Sequence, residues 1–144
     1  MAMVIFYEKP GCANNTRQKQ LLVNAGHQVI AKNLLKNNFK AKTLRAFLAN
    51  KTIPEWFNRA APAIKSGQIV PEELDEMTAL ALLLTYPLLI RRPLIQVGDI
   101  CEAGFDQARI NEWIGLTPEQ VSALAQQNLE QCRHKTAAGL QPAL

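Results

Sequence analysis

The chain has few cysteines, and their spacing limits what they can do. Three occur among 144 residues, at Cys12, Cys101 and Cys132. They form neither an even set suited to disulfides nor a Cys-x-x-Cys pair, and no group of cysteines and histidines has the spacing of a zinc site. We therefore expect neither structural disulfides nor a bound metal.

Long apolar runs are also lacking. The longest, at 79–90, is interrupted by Thr85 and Pro87 and is shorter than the roughly 20 residues with which a helix crosses a bilayer. The N-terminus has no basic segment followed by an apolar run of signal-peptide length. The sequence therefore predicts a cytoplasmic protein without a membrane segment.

Basic residues are in modest excess but do not cluster. The net charge is +4, and the Lys and Arg residues are scattered rather than gathered with aromatic residues into a stripe. Nucleic-acid binding is therefore not expected, although an acidic partner would be compatible with the charge. With 48% hydrophobic residues, the chain is long enough for one core with a modest extension.

The first third of the chain predicts a strand–helix–strand unit. Apolar periodicity indicates a strand at 4–7, a helix at 16–24 that ends before Gly26, and a second strand at 28–33. Such a unit implies parallel strand pairing and a right-handed crossover.

The middle of the chain predicts a helical insertion. Short helices are expected at 42–48 and after Pro54, and a longer helix from Pro71 to just before Pro87. The apolar face of that longer helix is predicted to contain Leu74, Met77, Ala81 and Leu84.

The segment that follows predicts a hairpin and a closing helix. Strands are expected at 88–91 and 94–97, a turn at 98–99, a further strand at 100–102 and a helix at 105–114. The whole order is β-α-β, helical insertion, β-β-α, which predicts an α/β thioredoxin-like fold with a mixed sheet.

The predicted domain organisation is one domain with an extension. Residues 1–115 are expected to form the thioredoxin-like domain, and 116–144 a C-terminal helix and a frayed tail, with a partner-binding helix as the alternative. Trp56 and Phe57 could dock a partner, but packing in the core is favoured.

Cys12 is the candidate reactive residue because it opens the helix-compatible stretch at 14–25. The start of a helix gathers unpaired backbone N–H groups and the positive end of the dipole, which favours the thiolate, and the thiolate is the nucleophilic form. Arg17, five residues on, could add positive charge. The alternative is that Cys12 is a small buried apolar residue, and the segment alone leaves both interpretations open.

Four short motifs show a family resemblance: YEKPGC at 7–12, NTR at 15–17, FNR at 57–59 and YPLLIRRP at 86–93. In this order they resemble the arsenate reductase family of the glutaredoxin-coupled type, which also includes the Spx-type transcription regulators. The resemblance covers about 3–114. The blocks at 6–15, 55–59 and 89–99 are most similar to the branch called nitrogenase-associated proteins, found among nitrogen-fixation genes.

The resemblance implies roles for particular residues. In these reductases a cysteine matching Cys12 attacks arsenate, and the adduct is resolved by glutathione and glutaredoxin. Arg59 and Arg92 match two arginines that hold the anion, a task suited to a guanidinium group because it stays protonated and presents a planar fork of donors. Thr16 and Arg17 complete the predicted anion site.

The resemblance also implies that Pro93 lies where thioredoxin-like folds have a cis proline beside the active cysteine. No bound cofactor is implied, only glutathione or glutaredoxin as an external reductant. Taken singly, these residues have structural alternatives: Arg59 could cap a helix, Arg91 and Arg92 could be solvated charges at a strand edge, and Pro93 could start a strand.

The sequence also departs from the family pattern. The reductases have a third arginine where 98–103 has none, and Glu102 near that place would repel arsenate. One lost charge-assisted contact weakens anion binding by about 1.5–3 kcal/mol. Asn15 replaces the second cysteine of the Spx-type Cys-x-x-Cys switch, so that switch is excluded, whereas the 104–106 segment resembles the Spx branch.

Two functional hypotheses follow. In the first, the protein is a thiol-dependent oxidoreductase with Cys12 as nucleophile and arginines that bind an anionic substrate or a glutathione carboxylate. In the second, it is a non-enzymatic interaction or regulatory protein of nitrogenase-associated or Spx type. The partner would be glutaredoxin in the first case and a nitrogen-fixation protein in the second, and the oligomeric state is left open.

Overall fold

The computed structural model describes residues 1–117, which form one sheet with helices on both faces. In chain order, the strands and helices are β1 (Met3–Glu8), α1 (Ala13–Asn24), β2 (Gln28–Asn33), α2 (Ala41–Phe47), α3 (Pro62–Lys65), α4 (Glu76–Thr85), β3 (Leu94–Val97), β4 (Ile100–Ala103) and α5 (Gln107–Trp113). Short 3₁₀ turns lie at Ile53–Trp56, Pro71–Glu73 and Pro87–Leu89. Most of the predicted C-terminal extension, including Cys132, lies outside the described residues.

The sheet is mixed, and its register brings two distant segments together. The strand order is β2-β1-β3-β4, with β1 and β2 parallel and the other neighbours antiparallel. This confirms the predicted α/β thioredoxin-like layout. Tyr7 near the end of β1 pairs with Leu94 at the start of β3. Because the two strands run in opposite directions, the segment after β1 and the segment before β3 meet at one end of the sheet.

Alternate side chains of β1 belong to two cores, one on each face of the sheet. One core contains Val4 and Phe6 with residues of α1, β3 and α5, namely Leu22, Ile95 and Ile110. The other contains Tyr7 and residues of the insertion, among them Leu44, Phe47, Trp56, Phe57 and Leu83. Trp56 is only 1% exposed, which confirms that it packs in the core. Within residues 1–117 no helix is long and apolar enough to cross a bilayer.

The long helix predicted from Pro71 begins later than expected. A 3₁₀ turn occupies its first residues, and α4 starts after Asp75, whose carboxylate accepts a hydrogen bond from the backbone N–H of Thr78 at 2.8 Å. This side chain is a typical N-cap and therefore sets the helix start. The predicted apolar face is also wrong at Met77, which is 82% exposed, and at Ala81, which is exposed. The fully buried residues of α4 are Ala79 and Leu83.

The strand predicted at 88–91 is wrong. Its first residues form a 3₁₀ turn, and the rest pairs with the insertion instead of the sheet. Phe57 and Ile90 form an isolated bridge, and the backbone N–H of Arg91 donates to the carbonyl oxygen of Trp56 at 3.0 Å. The apolar run is therefore explained by burial against the insertion, which sequence periodicity does not distinguish from a strand.

His27 joins the two ends of the described chain. It is 7% exposed, its Nδ1 accepts a hydrogen bond from the Ala2 N–H at 3.0 Å, and its Nε2 lies 2.9 Å from the carbonyl oxygen of Gly115. Because Nδ1 accepts, Nε2 carries the proton and donates to that carbonyl. One side chain thus links the start of β1 to the residues after α5.

We expect His27→Ala to lower the free energy of unfolding by about 1–3 kcal/mol, because the Ala2 N–H and the Gly115 carbonyl lose their partner. Urea denaturation measures the loss. The exposed neighbour Gln28 supplies the control, and Gln28→Ala should cost no more than about 0.5 kcal/mol. Equal losses in both variants would contradict the proposed link.

Candidate active site

Cys12 lies at the junction of a tight turn and the first helix. Its backbone N–H donates to the carbonyl oxygen of Lys9 at 3.1 Å, and Gly11 adopts a φ of 85°, a conformation that favours glycine. Cys12 has extended backbone angles and is the N-cap residue of α1. Its side chain is buried, with 3% exposure, so the thiol lies out of solvent directly before the first residue of the helix.

Asn15 holds the turn that presents Cys12. The asparagine is fully buried; its Oδ1 accepts a hydrogen bond from the Lys9 N–H at 3.1 Å, and its Nδ2 donates to Gln18 Oε1 at 2.9 Å. From the sequence, Asn15 was part of the motif at 15–17 and stood where the Spx-type switch has a cysteine, without a structural role of its own. The structure gives it a positive role, because both ends of its amide are used to fasten the turn to the helix.

Arg92 and Pro93 precede β3 at the same end of the sheet. The peptide bond between them is cis, and the Pro93 carbonyl oxygen accepts a hydrogen bond from Gly104 N–H at 2.7 Å. Arg92 is 7% exposed, so it is not the solvated strand-edge charge that the sequence left open. Its Nε is buried and has no hydrogen-bond partner among the described residues.

Arg59 is placed differently from Arg92. Its guanidinium lies 3.2 Å from a carboxylate oxygen of Glu72, and both side chains are about half exposed. The ionic contact in the described part of the chain is thus with Glu72 at the surface. Sequence reasoning missed this acid, which belongs to a turn that only the fold brings beside Arg59. Membership of Arg59 in an anion site stays a prediction.

Two other predicted site residues lie in the first turns of α1. The Thr16 hydroxyl donates to the carbonyl oxygen of Cys12 at 3.2 Å, so it supports the backbone at the helix start. Arg17 is exposed. Both are close in sequence to the thiol, but their roles toward an anion stay predictions.

Glu102, which the sequence marked as an anion-repelling residue, has a partner. It is 7% exposed, and its carboxylate lies 3.3 Å from the guanidinium of Arg109 in α5. This pairing offsets part of the expected repulsion. The Asp106 side chain caps α5 by accepting a hydrogen bond from the Arg109 N–H at 3.1 Å, so Arg109 lies in the first turn of that helix. The aspartate three residues before Arg109 was the sequence signal for this helix start.

Cys101 and Tyr7 are titratable groups in the second core. Burial, followed by the nearby Asp99 and Glu102 charges, raises the pKa of the Cys101 thiol above its ordinary value of 9.0. Burial, followed by Cys101, raises the pKa of Tyr7 above 10.0. Cys101 is therefore less ionised near neutral pH than a free thiol, which disfavours it as the reactive cysteine.

These raised pKa values predict a loss of stability in alkaline solution. The unfolded chain gives up both protons at lower pH than the folded chain, so the contribution is complete below about pH 9 and falls as the pH rises through the raised values. Melting temperatures measured between pH 8 and pH 11 test this. Tyr7→Phe should flatten the upper part of the curve, and an unchanged slope in that variant would contradict the assignment.

Comparison with known proteins decides the family. The sequence matches the ArsC family over residues 7–113. The chain belongs to the ArsC family. The matched range contains the Cys12 turn, Arg59 and the Arg92–Pro93 pair, which are the segments on which the sequence resemblance rested. Among residues 1–117 of this ArsC-family protein, no group of three or more His, Cys, Asp or Glu side chains is arranged to hold a metal ion.

One curated protein is similar to this chain in sequence, and a solved structure is similar to it in fold. The chain is 52% identical over 116 residues to an uncharacterized 15.7 kDa protein in the draG 3′ region of Rhodospirillum rubrum, with 81% of each chain covered. The structure is similar to an arsenate reductase from Vibrio cholerae, with a TM-score of 0.64, 18% identity and coverage of 77% of this chain and 97% of the other. At that identity the likeness establishes the fold alone.

Proposed function

We propose that this ArsC-family protein is a thiol-dependent oxidoreductase of the arsenate reductase type, with Cys12 as nucleophile. The observation that supports it is the arrangement at one end of the sheet. A buried Cys12 starts α1, and the register between β1 and β3 brings the buried Arg92 to the same end. A buried cation with an unpartnered donor is costly for a fold, whereas it suits a site that binds an anion.

In the proposed reaction, the Cys12 thiolate attacks arsenic, an As–S bond forms and an arsenic-bound oxygen leaves as water. A glutathione thiol then supplies the second sulfur. One arsenate and two thiols give one arsenite, one mixed disulfide and one water, so both electrons come from the thiols. Glutaredoxin would reduce the mixed disulfide and return Cys12 to the thiolate.

The chain's own residues would bind and orient the anion. Arg92 supplies a guanidinium group with a planar fork of N–H donors, and the N-terminal end of α1 adds partial positive charge. Arg59 would join the site by exchanging Glu72 for the anion, a surface exchange that costs little because exposed ion pairs contribute at most about 1 kcal/mol. Arg17 and Thr16 would lie at the outer side.

A second candidate function is a non-enzymatic interaction or regulatory role of nitrogenase-associated or Spx type. The observation that favours it is the pairing of Glu102, a buried acid, with Arg109. Glu102 lies near the position where the family resemblance implies an anion-binding arginine. The relative from Rhodospirillum rubrum is named for its position beside draG, a nitrogen-fixation regulatory locus. That position supports a link of either function to nitrogen fixation.

The experiment that separates the two is an arsenate reduction assay with glutathione and glutaredoxin. The full chain carries Cys101→Ser and Cys132→Ser, so that Cys12 is its only thiol, and arsenite formation is followed directly. Glutathione-dependent turnover that falls at least about tenfold in Arg92→Ala supports the reductase. No turnover, and no glutathione adduct on Cys12 by mass spectrometry, would refute it and favour the interaction role.

A further inference from the structure

Two side-chain amides of α1 are fully buried and bonded to each other. Asn15 and Gln18 both have 0% exposure, and Asn15 Nδ2 donates to Gln18 Oε1 at 2.9 Å. The same helix has a second bond of this kind, from Gln20 Nε2 to Asn24 Oδ1 at 2.8 Å, but that pair lies at the surface. Burying an amide costs free energy unless its hydrogen bonds are made. The buried pair therefore calls for a reason that the surface pair does not need.

The bond to Gln18 determines which way the Asn15 amide points. An asparagine amide has an acceptor and a donor, and rotation by half a turn exchanges them. Because Gln18 Oε1 is an acceptor, it selects the orientation in which Asn15 Nδ2 faces it and Asn15 Oδ1 faces the Lys9 N–H. The reverse orientation would place the Asn15 NH₂ group against the Lys9 N–H, donor against donor. Gln18 therefore acts on Lys9 through Asn15.

Lys9, the residue that this bond supports, is itself bonded to Cys12. The Lys9 N–H donates to Asn15 Oδ1 at 3.1 Å, and the Lys9 carbonyl oxygen accepts from the Cys12 N–H at 3.1 Å. The Cys12 carbonyl oxygen accepts from the Thr16 N–H at 3.1 Å. The backbone of Cys12 is thus held by the helix on one side and by Lys9 on the other. The hydrogen bonds run without a gap from Gln18 to Cys12.

Resting on the proposed function, we propose that Gln18 is a positioning residue for the Cys12 nucleophile. It keeps the Asn15 amide in the orientation that fastens the turn. The turn in turn keeps the Cys12 sulfur at the start of α1, where the helix N–H groups and dipole favour the thiolate. A reactive group keeps its working geometry only when a second layer of packed and bonded residues supports it. Gln18 itself takes no part in the chemical step.

The variant Gln18→Met tests this role, because methionine has nearly the same length but no amide acceptor. The full chain carries Cys101→Ser and Cys132→Ser, so that Cys12 is its only thiol. We expect alkylation of Cys12 at neutral pH to slow by about threefold or more, because a raised thiol pKa lowers the thiolate fraction. The pH dependence of the rate should move to higher pH in the same variant. An unchanged rate and pH dependence, with or without a lowered melting temperature, would overturn the proposal.

Two further variants serve as rescue and control. Gln18→Glu, which burial keeps protonated, retains an acceptor oxygen for Asn15 and should recover most of the wild-type rate. Gln20→Met removes a glutamine that also bonds an asparagine of α1, but at the surface, and should leave the rate unchanged. A slowing in Gln20→Met equal to that in Gln18→Met would overturn the proposal, because any change in the helix would then suffice.

A double variant tests whether Gln18 acts through Asn15. Asn15→Ala removes the contact with Lys9 directly and should slow alkylation of Cys12. Adding Gln18→Met to Asn15→Ala should then cause little further slowing, because residues that act along one route are not additive. Fully additive effects would overturn the proposal, since Gln18 would then act on Cys12 by a separate route.

Exchange of the Lys9 amide hydrogen distinguishes this inference from the proposed function, because it reports the turn without any thiol chemistry. It should be about tenfold or more faster in Gln18→Met and unchanged in Gln20→Met. Unchanged exchange in Gln18→Met beside a reactive wild-type Cys12 would overturn only the role of Gln18. Faster exchange beside an unreactive wild-type Cys12 would refute the proposed function, and with it the positioning of a nucleophile.

Discussion

Cys12→Ser is expected to lower the rate of thiol chemistry by more than about a thousandfold, because the hydroxyl of serine is not ionised at neutral pH and is a poor substitute for a thiolate. Two assays measure the loss, alkylation by iodoacetamide at pH 7.5 and arsenite formation with glutathione. The fold should survive, since serine is nearly isosteric with cysteine. Circular dichroism and the melting temperature report whether it does.

Cys101→Ser is the matched control for this variant. The pKa of Cys101 is raised by burial and by neighbouring acids, so its contribution to fast alkylation should be small. Activity retained within about a factor of two is expected in this control. A loss in Cys101→Ser comparable with that in Cys12→Ser would contradict the assignment of Cys12 as the single nucleophile.

Trp56→Ala is expected to have the largest effect on stability, a loss of about 3–5 kcal/mol, typical of a large aromatic residue removed from a core. Trp56 is 1% exposed, its indole N–H donates to the Lys51 carbonyl oxygen at 3.0 Å, and Arg45 lies 4.9 Å from the ring centroid. Its own carbonyl accepts from Arg91 N–H, so the loss should extend to the segment that leads to Arg92.

The conservative variant Trp56→Phe keeps an aromatic ring but removes the hydrogen bond to Lys51. It should cost about 1–2 kcal/mol, the sum of a lost hydrogen bond and a smaller ring. Urea denaturation of both variants gives the comparison. A loss below about 1 kcal/mol in Trp56→Ala would show that the ring is not an essential part of the core.

Most of the fold could be predicted from local patterns. The strand–helix–strand unit, the hairpin and the last helix follow from periodicities and turn residues that lie within short segments. The two errors, at 88–91 and at the start of α4, have different causes. The start of α4 is set by a local N-cap, in which the Asp75 carboxylate accepts from the Thr78 N–H. At 88–91 an apolar run fits two structures, and long-range contacts decide between them. For 88–91 the deciding contacts come from Trp56 and Phe57, more than thirty residues away.

The candidate site could be predicted only in part. Cys12 and the Arg92–Pro93 pair were identified from their place next to secondary-structure ends and from family resemblance. The partners of Glu102 and Arg59 were missed because packing creates those contacts. The burial of Asn14, the second residue of α1 and 3% exposed, was also missed, since a polar residue in the first turn of a helix is usually solvated. Sequence patterns indicate which residues are reactive, while their environment depends on the tertiary fold.

The pKa of the Cys12 thiol tests the central claim most directly. It is obtained from the pH dependence of alkylation in the chain with Cys101→Ser and Cys132→Ser, for the wild-type site, for Arg92→Ala, and for Lys42→Ala on α2 as a control with the same charge change. We predict a Cys12 pKa well below the free value of about 8.5, a rise in Arg92→Ala and no change in Lys42→Ala. A value near 8.5, or one that Arg92→Ala leaves unchanged, would contradict an organised thiolate site.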